Sequence, residues 1–92
     1  MPDLTPNAAN FAKIPVDKWD KLFAAISHDP SLLQPRNTDA MLVAAFNAAM
    51  KGDAVMCRQN VHNGLVLQYC VKLGRDGVAL FFKRCVAQIW LD

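Results

Sequence analysis

Among the 92 residues, five side chains are of the nucleophile or metal-ligand kind: Cys57, Cys70, Cys85, His28 and His62. A thiol activated by an imidazole needs the two groups within hydrogen-bond reach, which on one helix means a spacing of i to i+3 or i+4. Cys57 and His62 stand five residues apart. That is about a turn and a half, so they do not stack and His62 reads as a hydrogen-bonded helix residue. His28 falls in the corner Ser27-His28-Asp29, where an imidazole complements the negative end of a helix. No histidine pair stands at i, i+4 and no cysteines cluster, so the spacing supports neither a metal site nor a cofactor. An odd number of cysteines at long spacings reads as reduced, buried thiols rather than a disulfide framework. Without convergent polar groups, the chain is read as a non-enzyme.

Ten basic residues stand against eight aspartates for a net charge of +2, with no glutamate. That balance does not point to nucleic acid. Arg75, Lys83 and Arg84 flank the start and middle of the last helix, but a recognition helix needs a polar exposed face, and Leu80, Phe81 and Phe82 leave little of one. No apolar run is long enough to cross a bilayer, and the stretch before Lys13 lacks the apolar segment of a secretory leader, so a cytoplasmic protein is expected. One apolar surface remains as a candidate: Ile14, between Lys13 and Pro15 at the end of a helix, and Val55-Met56 in the first turn of the longest helix. Two readings stay open there. Helix ends often tuck such residues inward, while a surface methionine suits an adaptable contact.

These residues are positioned by a central helix from Asp53 to Leu73, with Asp53 as its N-cap and Gly74 closing it in the left-handed conformation. Its second half is apolar nearly all round, through Val61, Leu65, Val66, Leu67, Tyr69, Cys70, Val71 and Leu73, which predicts that other helices surround it. Its first half mixes Arg58, Gln59, Asn60 and His62 with Val55, Met56 and Cys57, and is the part a partner can reach. Before it, Thr5-Pro6 opens a two-turn helix that stops near Ile14. Asp17 is expected to cap the next, with Trp19, Leu22, Phe23 and Ile26 as its apolar stripe. Asp29-Pro30 starts a single turn that Pro35 breaks. Thr38 is expected to cap a helix over 39–51 that faces Met41, Leu42, Ala45, Phe46 and Met50 inward and ends at Gly52. That helix and the central one should pack as an antiparallel hairpin. After a corner at Gly74-Arg75-Asp76, Asp76 caps a last helix in which Val78, Leu80, Phe81, Phe82, Cys85, Val86, Ile89 and Trp90 exceed one stripe. Trp19 and Trp90 read as core or core-edge aromatics. The expected fold is a single all-α domain over 1–92, a compact irregular bundle of about five to six helices around the central helix.

Several runs, in this order and spacing, resemble the middle domain of the cell division cycle protein 37 family, especially its fungal members. They are Phe11-Ala12-Lys13-Ile14, Thr38-Asp39, Val61-His62, Leu67-Gln68-Tyr69-Cys70, Leu73-Gly74-Arg75-Asp76-Gly77-Val78 and Leu80-Phe81-Phe82-Lys83-Arg84. The similarity covers roughly residues 10 to 84, and 85–92 departs from the family pattern. The resemblance implies a co-chaperone module that docks on the N-terminal ATPase domain of heat shock protein 90, at its ATP lid, and restrains the ATPase cycle while a kinase client is loaded. By position, the family's docking pairs fall on Lys13 and Ile14 and on Val55 and Met56, and a polar contact falls on Gln59. Animal members carry an arginine shortly after the first pair; the loop 15–18 differs in length and offers Lys18 instead. The family's main kinase-binding segments lie outside the resemblance. The alternative is a structural or self-associating helical domain that has lost chaperone binding. A homodimer would then form through the C-terminal tail, where Val86, Ile89 and Trp90 make an apolar stripe.

Overall fold

The computed structural model describes the backbone of residues 5–91 and the side chains of 5–74 and 76–84. Every regular element among them is helical. Helix α1 spans Pro6–Ala12, and its start is fully specified by local chemistry: Thr5 Oγ1 accepts from the Ala8 amide at 3.2 Å, and Pro6 sits at the first helical position, where no amide hydrogen is needed. Helix α2 spans Trp19–His28. Lys18, not Asp17, stands at its N-cap and supplies no side-chain cap; Asp17 lies in a turn closed by the Lys18 amide on the Pro15 carbonyl at 3.0 Å. One residue upstream of the cap, a carboxylate is out of register with the orphan amides. The expected stripe holds, with Leu22 and Ile26 buried and Trp19 and Phe23 packed at the core margin. Asp29 then caps a short 3-10 turn, Pro30–Leu32, by accepting from the Ser31 amide at 3.2 Å, and it also receives the Asn7 side-chain amide of α1.

Helix α3 spans Pro35–Met50 and starts four residues earlier than the sequence suggests. Pro35 is its first residue rather than the breaker of the preceding turn, with Gln34 extended before it (φ −124°, ψ 136°), the conformation a pre-proline residue prefers. Thr38 is therefore buried inside the helix and caps nothing. Of the five side chains expected to face inward, Met41 and Ala45 do, joined by Ala40 and Ala48, whereas Leu42, Phe46 and Met50 are exposed, Phe46 at 65% and Met50 at 72%. The helix ends as expected at Gly52 (φ +79°): the Asp53 amide donates to Ala48 at 2.9 Å and the Gly52 amide to Ala49 at 3.0 Å, the paired bonds of a Schellman motif.

Helix α4, Ala54–Leu91, follows at once, with Asp53 Oδ1 accepting from the Met56 amide at 3.0 Å. It is broken at Gly74 (φ +74°, ψ 178°), so the expected corner is a single-residue kink between two helical arms. Tyr69 and Phe81 show how sharply it turns. Twelve residues of straight helix span about 18 Å, yet their ring centroids lie 5.1 Å apart. The corner is tight enough that a Cβ on Gly77 would stand 3.0 Å from that of Leu73. The second arm brings Val78 and Phe82 onto Phe11, Leu22, Ile26, Met41, Leu67 and Cys70, the apolar centre of the molecule. Trp19, Phe23, Phe81 and Phe82 form a ring cluster over it.

The central arm is not surrounded. Val61, Leu65, Tyr69 and Leu73 are exposed, Leu65 at 52%. Among the described residues, α1, α2 and α3 pack against the rest of α4 and leave this flank bare. The expected tail stripe of Val86, Ile89 and Trp90, with Cys85, lies outside the described side chains.

Leu67 is fully buried at the centre of these contacts. Leu67→Ala is expected to cost about 2–5 kcal/mol, from lost transfer energy and an uncollapsed cavity. Urea unfolding followed by circular dichroism measures it, and a loss under about 1 kcal/mol would remove Leu67 from the core.

Candidate partner-docking surface

A helix stopped short by proline leaves carbonyls without partners. At the end of α1 the Phe11 carbonyl is met by the Ile14 amide at 3.1 Å, which leaves the carbonyls of Ala12 and, just beyond the helix, Ile14 in need of side-chain donors. Asn63 of α4, wholly buried, points its Nδ2 at all three, at 3.2, 3.3 and 2.8 Å. A side-chain amide has two hydrogens, so three acceptors share them. With Nδ2 committed to carbonyls, its Oδ1 is left to accept from His62 Nδ1–H at 2.9 Å. His62 is thus the hydrogen-bonded helix residue its spacing suggested, with its ring 5.7 Å from that of Trp19. One turn earlier, Gln59 Nε2 donates to the Ile14 carbonyl at 3.0 Å. Four residues back again, Val55 shares the face of Gln59 and is bare, at 73% exposed.

The six residues singled out from the sequence are distributed as follows. Lys13 is exposed at the C-cap of α1, and Ile14 is half-buried, its side chain against the core and its carbonyl held by both Gln59 and Asn63. Met56 is half-buried, three residues before Gln59 and seven before Asn63, on the flank of α4 that meets α1. Gln59, Met56 and Val55 therefore share one flank of the first two turns of α4, tied to the end of α1 through the Ile14 carbonyl, while the Ile14 side chain lines a hollow with Phe11, Ala25 and Leu32. Lys18 is exposed at the start of α2, at the other end of the Pro15–Lys18 turn. Asn63 escaped the sequence reading. Its signal was the pair Asn63-Gly64, two poor helix formers in mid-helix, which demand a tertiary reason.

Among the described residues no group of histidine, cysteine or acidic side chains could hold a metal ion, and no helix is long and apolar enough to cross a membrane. The arrangement offers a shaped edge, apolar with a polar margin.

The model of the Cdc37 Hsp90 binding domain matches residues 10–89. The chain belongs to that family. It is similar to the Hsp90 co-chaperone Cdc37 of Schizosaccharomyces pombe, 38% identical over 53 residues that cover 58% of this chain and 11% of that protein. It is also similar to the Hsp90 co-chaperone Cdc37 of Candida albicans, 28% identical over 96 aligned positions that cover 94% of this chain and 19% of that one. The chain thus spans a tenth to a fifth of the length of these relatives. No solved structure matches. The Cdc37 family match runs to residue 89, five residues past Arg84, where the sequence resemblance ended.

In this Cdc37-family domain, the clamp is testable through Asn63. Asn63→Ala is expected to destabilise by about 1–3 kcal/mol, since it strands the Ala12 carbonyl, Phe11 and Ile14 keeping the Ile14 amide and Gln59 as donors. Asn63→Asp, nearly the same shape, should be worse, because it sets a buried carboxylate against acceptors. Wild-type stability in both, by urea unfolding, would show that the contact is idle.

Asp29 offers a second test. The Ser31 hydroxyl, then the Asn7 amide, hold its carboxyl below the ordinary range. A lowered folded-state pKa stabilises fully above the unfolded value and is lost as pH falls through the folded one. Asp29→Asn should therefore flatten the stability profile below about pH 4 and leave its shape near neutrality unchanged. An identical acid limb in wild type and variant would show that Asp29 makes no such linkage.

Proposed function

We propose that this chain is a single helical docking domain that binds the N-terminal ATPase domain of Hsp90 through Lys13, Ile14, Val55, Met56 and Gln59. It acts as a non-enzymatic co-chaperone in the cytoplasm and restrains the ATPase cycle while a kinase client is loaded. The observation that carries this reading is the Gln59 Nε2 bond to the Ile14 carbonyl at 3.0 Å, which joins the two halves of the edge into one surface. Family membership and the names of the relatives support the choice of partner. The chemistry fits a protein partner. Val55 and Met56 supply apolar area at a helix start that nothing among the described residues covers fully, and Gln59, its Nε2 committed to Ile14, keeps Oε1 as an acceptor for a donor across the interface. Lys18 takes the place of the arginine found in animal members as a polar contact at the margin.

Met56→Asp tests the surface. Position 56 lies in the first turn of α4, where a carboxylate suits the helix dipole, and the Asp53 cap on its amide is untouched, so folding should survive. At an interface, an unpaired carboxylate pressed on apolar surface costs about 3 kcal/mol, roughly a hundredfold in affinity. Val55→Asp, at a barer position, is expected to do the same. Calorimetric titration against the purified N-terminal domain of Hsp90, with circular dichroism as folding control, measures both. Undiminished binding by two folded variants would remove this edge from the site.

A further inference from the structure

Asn63 is followed by Gly64, and no other asparagine of the chain precedes a glycine. In that dipeptide an asparagine side chain is most open to attack by its own backbone, because glycine puts no Cβ beside the attacking nitrogen and lets the chain fold back freely. The residue that clamps the end of α1 is therefore also the most labile amide in the sequence. The fold shields it twice. Asn63 is wholly buried, with Nδ2 on the carbonyls of Phe11, Ala12 and Ile14 at 3.2, 3.3 and 2.8 Å and Oδ1 on His62 at 2.9 Å. Those bonds hold the side chain toward α1, while the helix directs the Gly64 amide along its axis toward the preceding turn, so the nitrogen and the side-chain carbon do not meet. Gly64 is buried as well, and a Cβ there would stand 3.3 Å from that of Met41 on α3.

We propose that Asn63-Gly64 is a self-modification site that the folded domain keeps closed, and that opening of the first arm of α4 exposes it to irreversible deamidation. In the opened chain the Gly64 nitrogen gives its proton to a solvent base and attacks Cγ of Asn63. The bond from Cγ to Nδ2 breaks, and the nitrogen leaves as ammonia after taking a proton from solvent, closing a five-membered succinimide. Water then adds to either ring carbonyl and opens the ring to aspartate or to isoaspartate. Neither product can remake the clamp. Both lose the Nδ2 donor that the Ala12 carbonyl depends on and set a carboxylate where acceptors converge. Isoaspartate also runs the backbone through Cβ, which breaks the helical repeat. Chemistry this slow samples an opening that recloses many times first, so its rate follows the open fraction of this arm. A chain that stays open too long is withdrawn from the folded pool at the one residue on which its first helix depends.

Incubation of the 92-residue chain in mildly alkaline buffer, with and without denaturing guanidinium, tests this. Mass spectrometry of the tryptic peptide 59–72 reads conversion of the amide to the acid at Asn63. In denaturant, Asn63 should convert ahead of every other asparagine, and Gly64→Ala, measured in the same denaturant, should slow it severalfold. In the folded chain the rate should fall at least about a hundredfold, the order set by the opening equilibrium of a small domain. Leu67→Ala, one helical turn on and in the core, should raise the folded-state rate at least about tenfold and leave the denatured rate unchanged. Should that variant not fold, guanidinium below the wild-type midpoint serves instead, with the rate climbing as the open fraction does. The deamidated chain, separated by ion exchange on its added negative charge, should not regain the native circular dichroism when denaturant is removed. Equal rates in folded and denatured chains overturn the proposal, as does an Asn63 no faster than the other asparagines in denaturant. A folded-state rate indifferent to both Leu67→Ala and mild denaturant removes the link to opening of α4, and a deamidated chain that refolds with wild-type stability removes the one-way step.

Discussion

The fold depends on one buried amide. Helix α1 is too short to hold itself, and Pro15 ends its reach, so its last carbonyls need donors from elsewhere. Asn63 reaches all of them from the middle of α4, sharing Phe11 with the Ile14 amide and Ile14 with Gln59 and serving Ala12. The neighbouring Gly64 serves a different side of the same helix: a Cβ there would meet that of Met41 at 3.3 Å, so its absence lets α3 approach closely. Asparagine and glycine together cost an isolated helix roughly 1.5 kcal/mol relative to alanine. The loss is local and the return is tertiary, since these two positions fix where α1 and α3 lie against the central helix.

Much of this could be read from the residues, because side-chain caps act within a few positions. Thr5, Asp29, Asp53, Gly52 and Gly74 all do what their types suggest. The two misplaced helix starts have different causes. A proline is equally at home ending one element and opening the next, and the residues around Pro35 do not distinguish the cases. Asp17 is a good cap residue one position from where a cap was needed. Asn63 was opaque for another reason: its partners lie about fifty residues away, and no local pattern encodes them.

Burial was the least legible property. Periodicity shows which side chains share a helix face, but not which faces find a neighbour. On the first arm of α4 the apolar residues run round most of the circumference, and the natural inference was a helix enclosed on all sides. The few helices among the described residues enclose one flank of α4 and leave the other bare. The same limit turned Leu42, Phe46 and Met50 outward on α3. The proposed docking edge draws on composition for Ile14, Val55 and Met56, whereas Lys13 and Gln59 came only from resemblance to the Cdc37 family.

Gln59 shows why residue type alone understates such a surface. By resemblance it is a contact to a partner, and a free glutamine would lose side-chain entropy on binding. Here its Nε2 is already held by the Ile14 carbonyl. That bond fixes the rotamer before any partner arrives and carries Ile14 with it, so most of the ordering cost falls on folding rather than on association. The first arm of α4 can therefore be divided by flank: Val66, Leu67 and Cys70 bury, Val55, Met56 and Gln59 follow the end of α1, and Val61 and Leu65 remain bare beside α3. Residues on different flanks do not touch one another, and energetic terms without shared partners add nearly independently. A single helix can then hold a preorganised edge on one flank without constraining the residues chosen for another.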